Sequence, residues 1–451
     1  MILPIQTDIG CGPPVTILGG GMAGLSAAYH MNEPYVLYER EKESGGLCRS
    51  EQVNGFVFDF DGHLLHFRTD YARDLVFDLT EGKLCHHRRR AWVYSHGTFS
   101  RYPFQANAYG LPDRIVADCL RGRELAAQAK PDLGKGYFLD WIYDTFGVGI
   151  AEHFMIPYNR KFWKVPLKDL NCEWVDRFIP VPSLQETFEG AYSDSDRSWG
   201  YNSEFWYPSH GGIADLTGRL AQRVGSIYCN HEVIGLDLAN QRVRLCAGGR
   251  ESEVSYENLV LTLPLPAVRD LLGDLPPEVD AAFDKLRYIS VLSLSLGIAR
   301  ESLSDKHWIY YPEPDLIFHR VGFPGNFSPN VHPPGTSSLY AETTYLPEQG
   351  LDFEAVRSRI LSDLAKVGIL EDGDRILAEK AFNLRFGYII YDSCRREAVE
   401  CIRKYLRGRG VHCAGRFGRW EYMSMEDTLL DGARVAEEIG ARRREVLSVA
   451  D

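Results

Sequence analysis

The stretch Val15-Thr16-Ile17-Leu18-Gly19-Gly20-Gly21-Met22-Ala23-Gly24 decides the fold of this chain. Its apolar start predicts a short strand over residues 15–18, a helix follows over residues 25–31, and a second strand is predicted at residues 35–38. The glycines match the pattern G-x-G-x-x-G between strand and helix, where backbone amides and a helix N-terminus face a pyrophosphate. We therefore predict a β-α-β dinucleotide-binding unit in which Gly19, Gly21, Met22, Ala23 and Gly24 contact the cofactor.

Glu39 ends the second predicted strand, 20 residues after Gly19. A carboxylate at this place accepts hydrogen bonds from both ribose hydroxyls of an adenosine and repels a 2′-phosphate, so the cofactor is FAD or NAD and not NADP. A second glycine pair follows in the run Glu39-Arg40-Glu41-Lys42-Glu43-Ser44-Gly45-Gly46-Leu47. This run resembles the extension that two-dinucleotide-binding flavoproteins place along the FAD diphosphate. The resemblance favours FAD and adds Arg40, Gly46 and Leu47 to its predicted contacts.

Charge and composition exclude several classes of partner. The 50 basic and 62 acidic side chains give a net charge of −12, which argues against nucleic acid or an anionic membrane as the main partner. The ten cysteines form no CxxC pair, so we predict reduced, structural thiols and no metal site. No signal-peptide pattern and no apolar run of membrane-spanning length occur, which predicts a cytoplasmic protein.

The remaining periodicities divide the chain into three predicted parts. Helical spacing over residues 111–154 indicates an inserted helical domain at 105–190. Strand-like runs at 225–233, 241–246, 251–263 and 288–298 indicate a β-rich middle. The prediction is an α/β fold with a Rossmann-like FAD-binding domain (1–65, 205–265 and 405–451) and a β-sheet substrate domain (66–104, 191–204 and 266–404). A last strand, a glycine turn and a helix over 426–439 resemble the C-terminal segment of FAD-dependent amine oxidase-like proteins. The resemblance implies that Gly415, Arg416 and Met425 lie at the flavin.

Beyond the cofactor fold, several segments resemble the UDP-galactopyranose mutases, especially the eukaryotic type, within the amine oxidase and protoporphyrinogen oxidase-like flavoproteins. They occur in the family's order over nearly the whole chain, and PYNRKFWKVP at 157–166 is the most specific of them. The others are FDFDGHLLHF at 58–67, YPFQ at 102–105, GYNSEFWYP at 200–208, GGI at 211–213, KHWIYYP at 306–312, Arg320 before NFSP, and GRFGRWEY at 415–422.

The resemblance implies an isomerase that interconverts pyranose and furanose forms of a nucleotide-activated sugar, UDP-galactose or a relative. In that family N5 of the reduced flavin attacks the anomeric carbon, UDP leaves, and the flavin–sugar adduct opens and recloses through another hydroxyl, so no net electrons move. The implied cofactor is reduced FAD, with NAD(P)H as a candidate reductant. The oligomeric state stays open.

The resemblance also assigns roles to individual residues. It places Arg320 on the arginine that clamps the diphosphate, where a planar guanidinium suits charged oxygens, and His63 beside the flavin; these two are the implied catalytic residues. Gly62, Val233 and Arg416 fall where the family holds FAD. The implied substrate contacts are Tyr102, Phe104 and Gln105 at the uridine, and Asn159, Trp163, Arg177, Asn202, Tyr310, Tyr388 and Tyr422 around the phosphates and sugar.

The chain also departs from the family's pattern. The second diphosphate arginine aligns with Phe178, and Arg177 lies one position earlier. Ser95 stands where a flavin-side arginine is expected, and His66 stands where an aromatic residue is expected. These differences leave the sugar and the nucleotide open.

Two other functions remain open at this point. One is an FAD-dependent oxidase of the amine oxidase or protoporphyrinogen oxidase type, whose pocket should be apolar and lack a phosphate clamp. The other is a flavin-binding protein without catalysis. Tyrosines such as Tyr310 and Tyr388 also occur as plain core residues, and Asn159 after Pro157 fits a turn or cap by composition.

Overall fold

The fold is described by a computed structural model that covers residues 14–129, 136–197, 199–200 and 202–450, with backbone only for 442–450. The first residues of the predicted FAD-binding domain, including Cys11 and the stretch that bears on a signal peptide, lie outside the described residues. So do residues 130–135 of the predicted helical domain. Within the described part of the chain, no helix is long and apolar enough to cross a membrane.

The described residues form nineteen strands. In chain order β1 to β19 are Val15–Leu18, Tyr35–Tyr38, Ser50–Val53, Phe56–Asp59, Leu84–Arg88, Ala91–Ser95, Thr98–Arg101, Glu204–Pro208, Ile227–Tyr228, Glu232–Asp237, Arg242–Ala247, Arg250–Ser255, Leu259–Leu261, Tyr288–Ile298, Trp308–Tyr310, Arg320–Gly322, Ser337–Tyr345, Ile376–Ile389 and Val411–Cys413. The predicted strand over 251–263 is two strands, β12 and β13, and the one over 225–233 also divides.

Helices connect these strands. In chain order α1 to α14 are Met22–His30, Asp70–Leu79, Asp113–Ala129, Phe138–Ile150, Ile156–Trp163, Val175–Phe178, Leu184–Tyr192, Ala214–Gln222, Leu265–Arg269, Pro277–Phe283, Phe353–Lys366, Arg395–Arg407, Gly415–Gly418 and Met425–Ala450. A π-helical turn at Ala151–Met155 joins α4 to α5, and 3-10 turns lie at Phe104–Ala106, Leu167–Asp169, Pro324–Asn326 and Pro347–Gln349.

Two large sheets organise the chain. The first is parallel, with the order β19-β13-β1-β2-β9. Helix α1 begins at Met22, three residues earlier than predicted, because Gly24 belongs to its first turn. The helix packs against α14, whose Leu429, Val435 and Ile439 are buried with residues of β1 and α1. The predicted α/β class with a Rossmann-like unit is confirmed.

The second large sheet has the order β18-β14-β17-β16-β15-β6-β7. Strand β14 is buried along almost its whole length between β17 and β18. Three smaller sheets, β10-β11-β12, β3-β4 and β5-β8, complete the fold. Helices α3 to α7 form a largely helical segment between β7 and β8. The exact domain boundaries given above stay a prediction.

Candidate active site

The glycine turn after β1 brings the backbone of two elements very close together. Gly19 has a φ of +96°, and a Cβ atom on Gly24 would lie 1.9 Å from the Gly19 carbonyl oxygen. Only glycine therefore fits at position 24. No side chain caps the N-terminus of α1, and its first intrahelical bond runs from the Leu25 amide to the Gly21 carbonyl at 2.9 Å. The first-turn amides of α1 are thus not capped by a side chain of this chain.

Glu39 joins this turn to the second glycine loop. Its Oε2 accepts a 2.7 Å hydrogen bond from the Gly20 amide, and its Oε1 accepts one from the Glu41 amide at 2.9 Å. Gly46 passes so close to Gly21 that a Cβ atom on it would lie 2.9 Å from the Gly21 Cα. Leu47 packs beside a buried aromatic cluster. The predicted contact Arg40 differs, because its side chain is 69% exposed and pairs with Glu41.

The C-terminal glycine turn lies against the same helix. The Gly415 amide donates to Asp431 at 2.7 Å, and a Cβ atom on Gly415 would lie 2.5 Å from that of Ala23. The guanidinium of Arg416 lies over two tyrosine rings, 4.4 Å from the centroid of Tyr422 and 5.0 Å from that of Tyr388. Met425 opens α14.

A cavity of about 150 Å³ lies beside this tyrosine pair. Its wall is mostly aromatic and comes from the helical segment, from β15, from the end of β18 and from the turn before α14. The lining residues are Tyr102, Gln105, Phe154, Met155, Tyr158, Asn159, Phe162, Trp163, Trp174, Phe178, Ile179, Tyr310, Tyr388, Tyr391 and Tyr422. Among the residues that the structure describes, no charged side chain lines it.

Besides tyrosine hydroxyls and tryptophan N–H groups, the wall contains two buried side-chain amides, Gln105 and Asn159. Gln105 donates from Nε2 to the Pro180 carbonyl at 2.8 Å, whereas its buried Oε1 has no hydrogen-bond partner within the described part of the chain. Asn159 lies inside α5 and donates to the Met155 carbonyl at 2.7 Å. The turn or cap reading of Asn159 is therefore wrong, because Pro157 occupies the first turn of a helix that it can start.

Arg320 lies next to this wall, in a cluster of buried charges. Strand register places it opposite Tyr310 on one side and opposite Glu342 on the other. Its Nε and Nη2 bond both oxygens of Glu342 at 2.5 and 2.7 Å, and Nη2 lies 3.6 Å from Asp61. Burial opposes the charge of Arg320, but Glu342 and its other neighbours raise the pKa of the guanidinium further. Arg320 is thus paired with carboxylates of its own chain through Nε and Nη2.

His63 follows Asp61 in the loop after β4. Its Nδ1 lies 3.1 Å from the Asp61 carbonyl oxygen, and burial lowers the pKa of the ring. The preceding Gly62 has no room for a side chain, since a Cβ atom there would lie 2.4 Å from the Tyr340 hydroxyl. Close packing by glycine therefore fixes this loop as well as the pyrophosphate turn.

Comparison with known proteins places the chain in a family. The model of the flavin containing amine oxidoreductases matches residues 22–440. The chain belongs to the flavin containing amine oxidoreductase family. A crystal structure of reduced UDP-galactopyranose mutase is similar with a TM-score of 0.89 at 24% identity, covering 96% of this chain and 94% of that one.

Two further solved structures share the fold with lower scores. A putative protoporphyrinogen oxidase from Exiguobacterium sp. 255-15 has a TM-score of 0.74 at 16% identity, over 96% of this chain and 99% of that one. Wild-type putrescine oxidase bound to putrescine has a TM-score of 0.63 at 16% identity, over 95% and 99%. The resemblance inferred from the sequence is thus confirmed at the level of the fold.

The flavin containing amine oxidoreductase fold implies FAD, and the residues present fit it. The close approaches at Gly24 and Gly46 leave a side-chain-free strip along the uncapped start of α1, which suits a pyrophosphate. Glu39 lies 7% exposed at the end of β2, where it can accept from ribose hydroxyls. Arg416 keeps a buried Nε without a partner among the described residues. We expect FAD to lie along these groups.

Several predicted substrate contacts lie outside the cavity wall. Phe104 is buried behind it, stacked on Phe154 at 5.0 Å. Asn202 accepts a short hydrogen bond from Arg89. Arg177 pairs with Asp427, and its neighbour Phe178 occupies the wall instead. Arg177 therefore does not line the cavity as a phosphate clamp, because α6 directs its side chain to Asp427 of α14. Val233, a predicted FAD contact and not a substrate contact, lies in β10, half-buried in another core.

Proposed function

We propose that the chain is an FAD-dependent mutase that interconverts the pyranose and furanose forms of a nucleotide-activated sugar, UDP-galactose or a relative. The observation that carries the proposal is the wall of the cavity. Residues assigned to substrate from distant segments, including Gln105, Asn159, Tyr310, Tyr388 and Tyr422, meet around one space beside Arg320. Such convergence of distant polar and aromatic groups is typical of a ligand site.

The cavity suits the base of a nucleotide. Its volume of about 150 Å³ matches a cavity of roughly 150 Å³ that holds one aromatic ring in another protein. Aromatic faces such as Tyr102 and Phe178 can stack on a base. The Oε1 of Gln105 is a buried acceptor without a partner among the described groups, and an N–H of a pyrimidine would satisfy it.

With the base in the cavity, the diphosphate would reach Arg320. The sugar would then lie on the side of the site where we expect the flavin. Arg320 is shared with Glu342, so an anionic ligand must compete with that carboxylate for the guanidinium fork. Tyr310 lies opposite Arg320 in the sheet, and the stacked pair Tyr388 and Tyr422 continues the wall toward Arg416. FAD in its reduced form would supply a nucleophile for the anomeric carbon, and the chain's own groups would bind and orient the sugar and exclude water.

An oxidase of the amine oxidase or protoporphyrinogen oxidase type is the second candidate. The specific observation in its favour is the wall itself, which is aromatic and carries no charged side chain among the residues that the structure describes. An apolar wall suits a bulky apolar substrate as well as it suits a base. Arg320 lies opposite Tyr310 of the wall, and the resemblance assigns it to the diphosphate, which is why we place the mutase first.

The two candidates differ in product and in the final state of the flavin. Dithionite-reduced protein incubated with UDP-galactose should yield UDP-galactofuranose, with the flavin spectrum still reduced after many turnovers. Hydrogen peroxide released in step with an oxidised product, and no furanose from a panel of nucleotide sugars, would establish the oxidase instead. Protein kept oxidised serves as the control, since the mutase reaction should not proceed in it.

A further inference from the structure

The carboxyl group of Asp61 lies against the Arg320–Glu342 pair and has no role in the function proposed above. Asp61 accepts a 2.7 Å hydrogen bond from the Gly62 amide and lies 3.6 Å from Arg320. It also lies within hydrogen-bonding reach of Glu342. The buried carboxyl group of Glu342 and the partly buried one of Asp61 thus share one guanidinium.

The groups that face Asp61 come from several elements. Arg320 and Glu342 lie on β16 and β17, His63 follows in the same loop, His319 precedes β16 with its Nε2 3.3 Å from Glu342, and the ring of Tyr340 packs over Gly62. Both imidazoles are neutral near pH 7, because burial lowers the pKa of His63 and of His319. The hydroxyls of Tyr340 and Tyr388 are neutral too, because burial raises their pKa. Asp59, two residues before Asp61, adds a weaker repulsion between carboxylates. The charge beside the guanidinium is therefore set by Asp61, Glu342 and Arg320.

Those carboxyls ionise differently. Burial and then the neighbouring Glu342 raise the pKa of Asp61 to about 7. Burial works against ionisation of Glu342 too, but Arg320 outweighs it and the pKa of Glu342 is lowered. One extra proton thus resides on Asp61, and it leaves as the pH rises through about 7.

We propose that Asp61 holds the proton that makes this site receptive to an anion, so that a nucleotide diphosphate binds the form with neutral Asp61 and its binding takes up a proton. The inference rests on the proposed function, since it names how the diphosphate of that substrate class is accepted. With Asp61 neutral, Arg320 and Glu342 cancel, and with Asp61 ionised the cluster carries one net negative charge. A dianionic diphosphate is repelled by the second form and favours the first.

The sign of the pH effect follows from this linkage. A ligand that prefers the protonated form binds most tightly below the pKa of the free site and loses affinity as the pH rises above it. If Asp61 only held the loop through the Gly62 amide, its replacement would change stability and leave the pH dependence of binding untouched.

The test uses holoprotein, UDP-galactose and three chains: wild type, Asp61→Asn and Asp59→Asn. UDP-galactose is a suitable probe between about pH 7 and about pH 8, because neither its diphosphate diester nor its uracil N–H titrates there. Asp59 is the matched control, a half-buried aspartate two residues away. It accepts hydrogen bonds from Ser50, Tyr207 and the Ile213 amide and does not contact Arg320. Burial raises its pKa to about 6, below the range. Calorimetric titration between about pH 7 and about pH 8, in buffers of different ionisation enthalpy, gives affinity and proton uptake.

We expect wild type and Asp59→Asn to lose about fivefold in affinity over this range and to take up about half a proton at pH 7, rising toward one. Asp61→Asn should bind as tightly as wild type does near pH 7, with less than about a twofold change and no uptake. A pH-dependent Asp61→Asn chain, or a wild type without proton uptake, would overturn the inference and leave nucleotide-sugar binding standing. If UDP-galactose fails to bind wild type at any pH, the proposed function falls and this inference with it. Should either variant not fold, proton uptake by wild type alone still decides.

Discussion

The dinucleotide-binding turn and the aromatic cavity are assembled in opposite ways. The turn is local: Gly19 to Gly24 and Gly45 to Gly46 bring backbone atoms together, and Glu39 holds two amides. The cavity is made of side chains from the helical segment, the seven-stranded sheet and the C-terminal turn. A local backbone device leaves a motif in the sequence, whereas a wall collected from distant segments leaves only scattered residues. The two regions should therefore respond differently to substitution.

The largest effect is expected in the charge cluster beside the cavity, where Arg320→Ala should lower the free energy of unfolding by about 3–5 kcal/mol, because it leaves the buried Glu342 carboxylate without its partner. Arg320→Ala combined with Glu342→Gln should recover much of that loss. Chemical denaturation of holoprotein measures both. Arg73→Ala, which removes only exposed pairs with Asp70 and Asp74, is the control and should cost little, because solvent screens such pairs. A similarly small cost for Arg320→Ala would mean that solvent reaches the cluster.

In the dinucleotide-binding turn, Glu39→Ala should weaken FAD retention by about 1.5–3 kcal/mol, the worth of hydrogen bonds to a charged group. The loss has two physical sources, the ribose contact and the amides of Gly20 and Glu41 that the carboxylate holds. Dialysis followed by flavin fluorescence of the released FAD measures retention. Arg40→Ala is the neighbouring control, since its exposed side chain should be replaceable without loss of FAD. Equal retention in both variants would show that backbone geometry alone holds the adenosine half.

Within the cavity, Gln105→Leu should weaken UDP binding by about 1 kcal/mol through the loss of a hydrogen bond to the base. Stability should change little, because only the bond to the Pro180 carbonyl is lost from the protein itself. Phe104→Leu is the comparison, since Phe104 lies behind the wall, stacked on Phe154. This variant should lower the free energy of unfolding more than it lowers UDP affinity. Tighter binding of UDP to Gln105→Leu would place the base elsewhere.

Sequence reasoning succeeded where the physics is local. The G-x-G-x-x-G spacing, the strand Val15–Leu18 and the carboxylate at Glu39 follow from neighbouring residues, and the structure has each of them. The predicted start of α1 is three residues too late, because the glycines up to Gly24 are typical of a turn. In the structure Gly24 belongs to the helix, where it packs against Gly19. Where two backbone segments approach this closely, the distance between them requires glycine. Helix propensity carries no information about that distance.

The cavity was predicted only through the family resemblance, and its electrostatics were missed. The Arg320–Glu342 pair depends on the register of β16 with β17, and Asp61 joins it from a distant loop. Asp61, the second aspartate of FDFDGHLLHF, is the sequence signal that could have indicated an acid next to His63. Tyr158, within the specific tract PYNRKFWKVP, also lines the wall and was not singled out. Cross-strand register and burial cannot be read from spacing alone.

The smallest effect is expected for Arg177, and it tests the boundary of the cavity most directly. The family's second diphosphate arginine aligns with Phe178, and Arg177, one position earlier, is its predicted replacement. The structure places Phe178 in the wall and pairs Arg177 with Asp427. The side chain is 33% exposed, so Arg177→Ala should cost about 0–1 kcal/mol of stability. UDP affinity should stay within about twofold of wild type, since a group outside the wall adds no contact.

Phe178→Ala is the matching variant and should weaken UDP binding more than it lowers stability. The ring of Phe178 lines the cavity, with its centroid 4.3 Å from that of the Tyr422 ring. Calorimetric titration of UDP into the three chains decides between the two positions. A tenfold or greater loss of affinity in Arg177→Ala would mean that α6 shifts on binding to bring the guanidinium to the phosphates, and the cavity wall would then have to be assigned from the ligand-bound state.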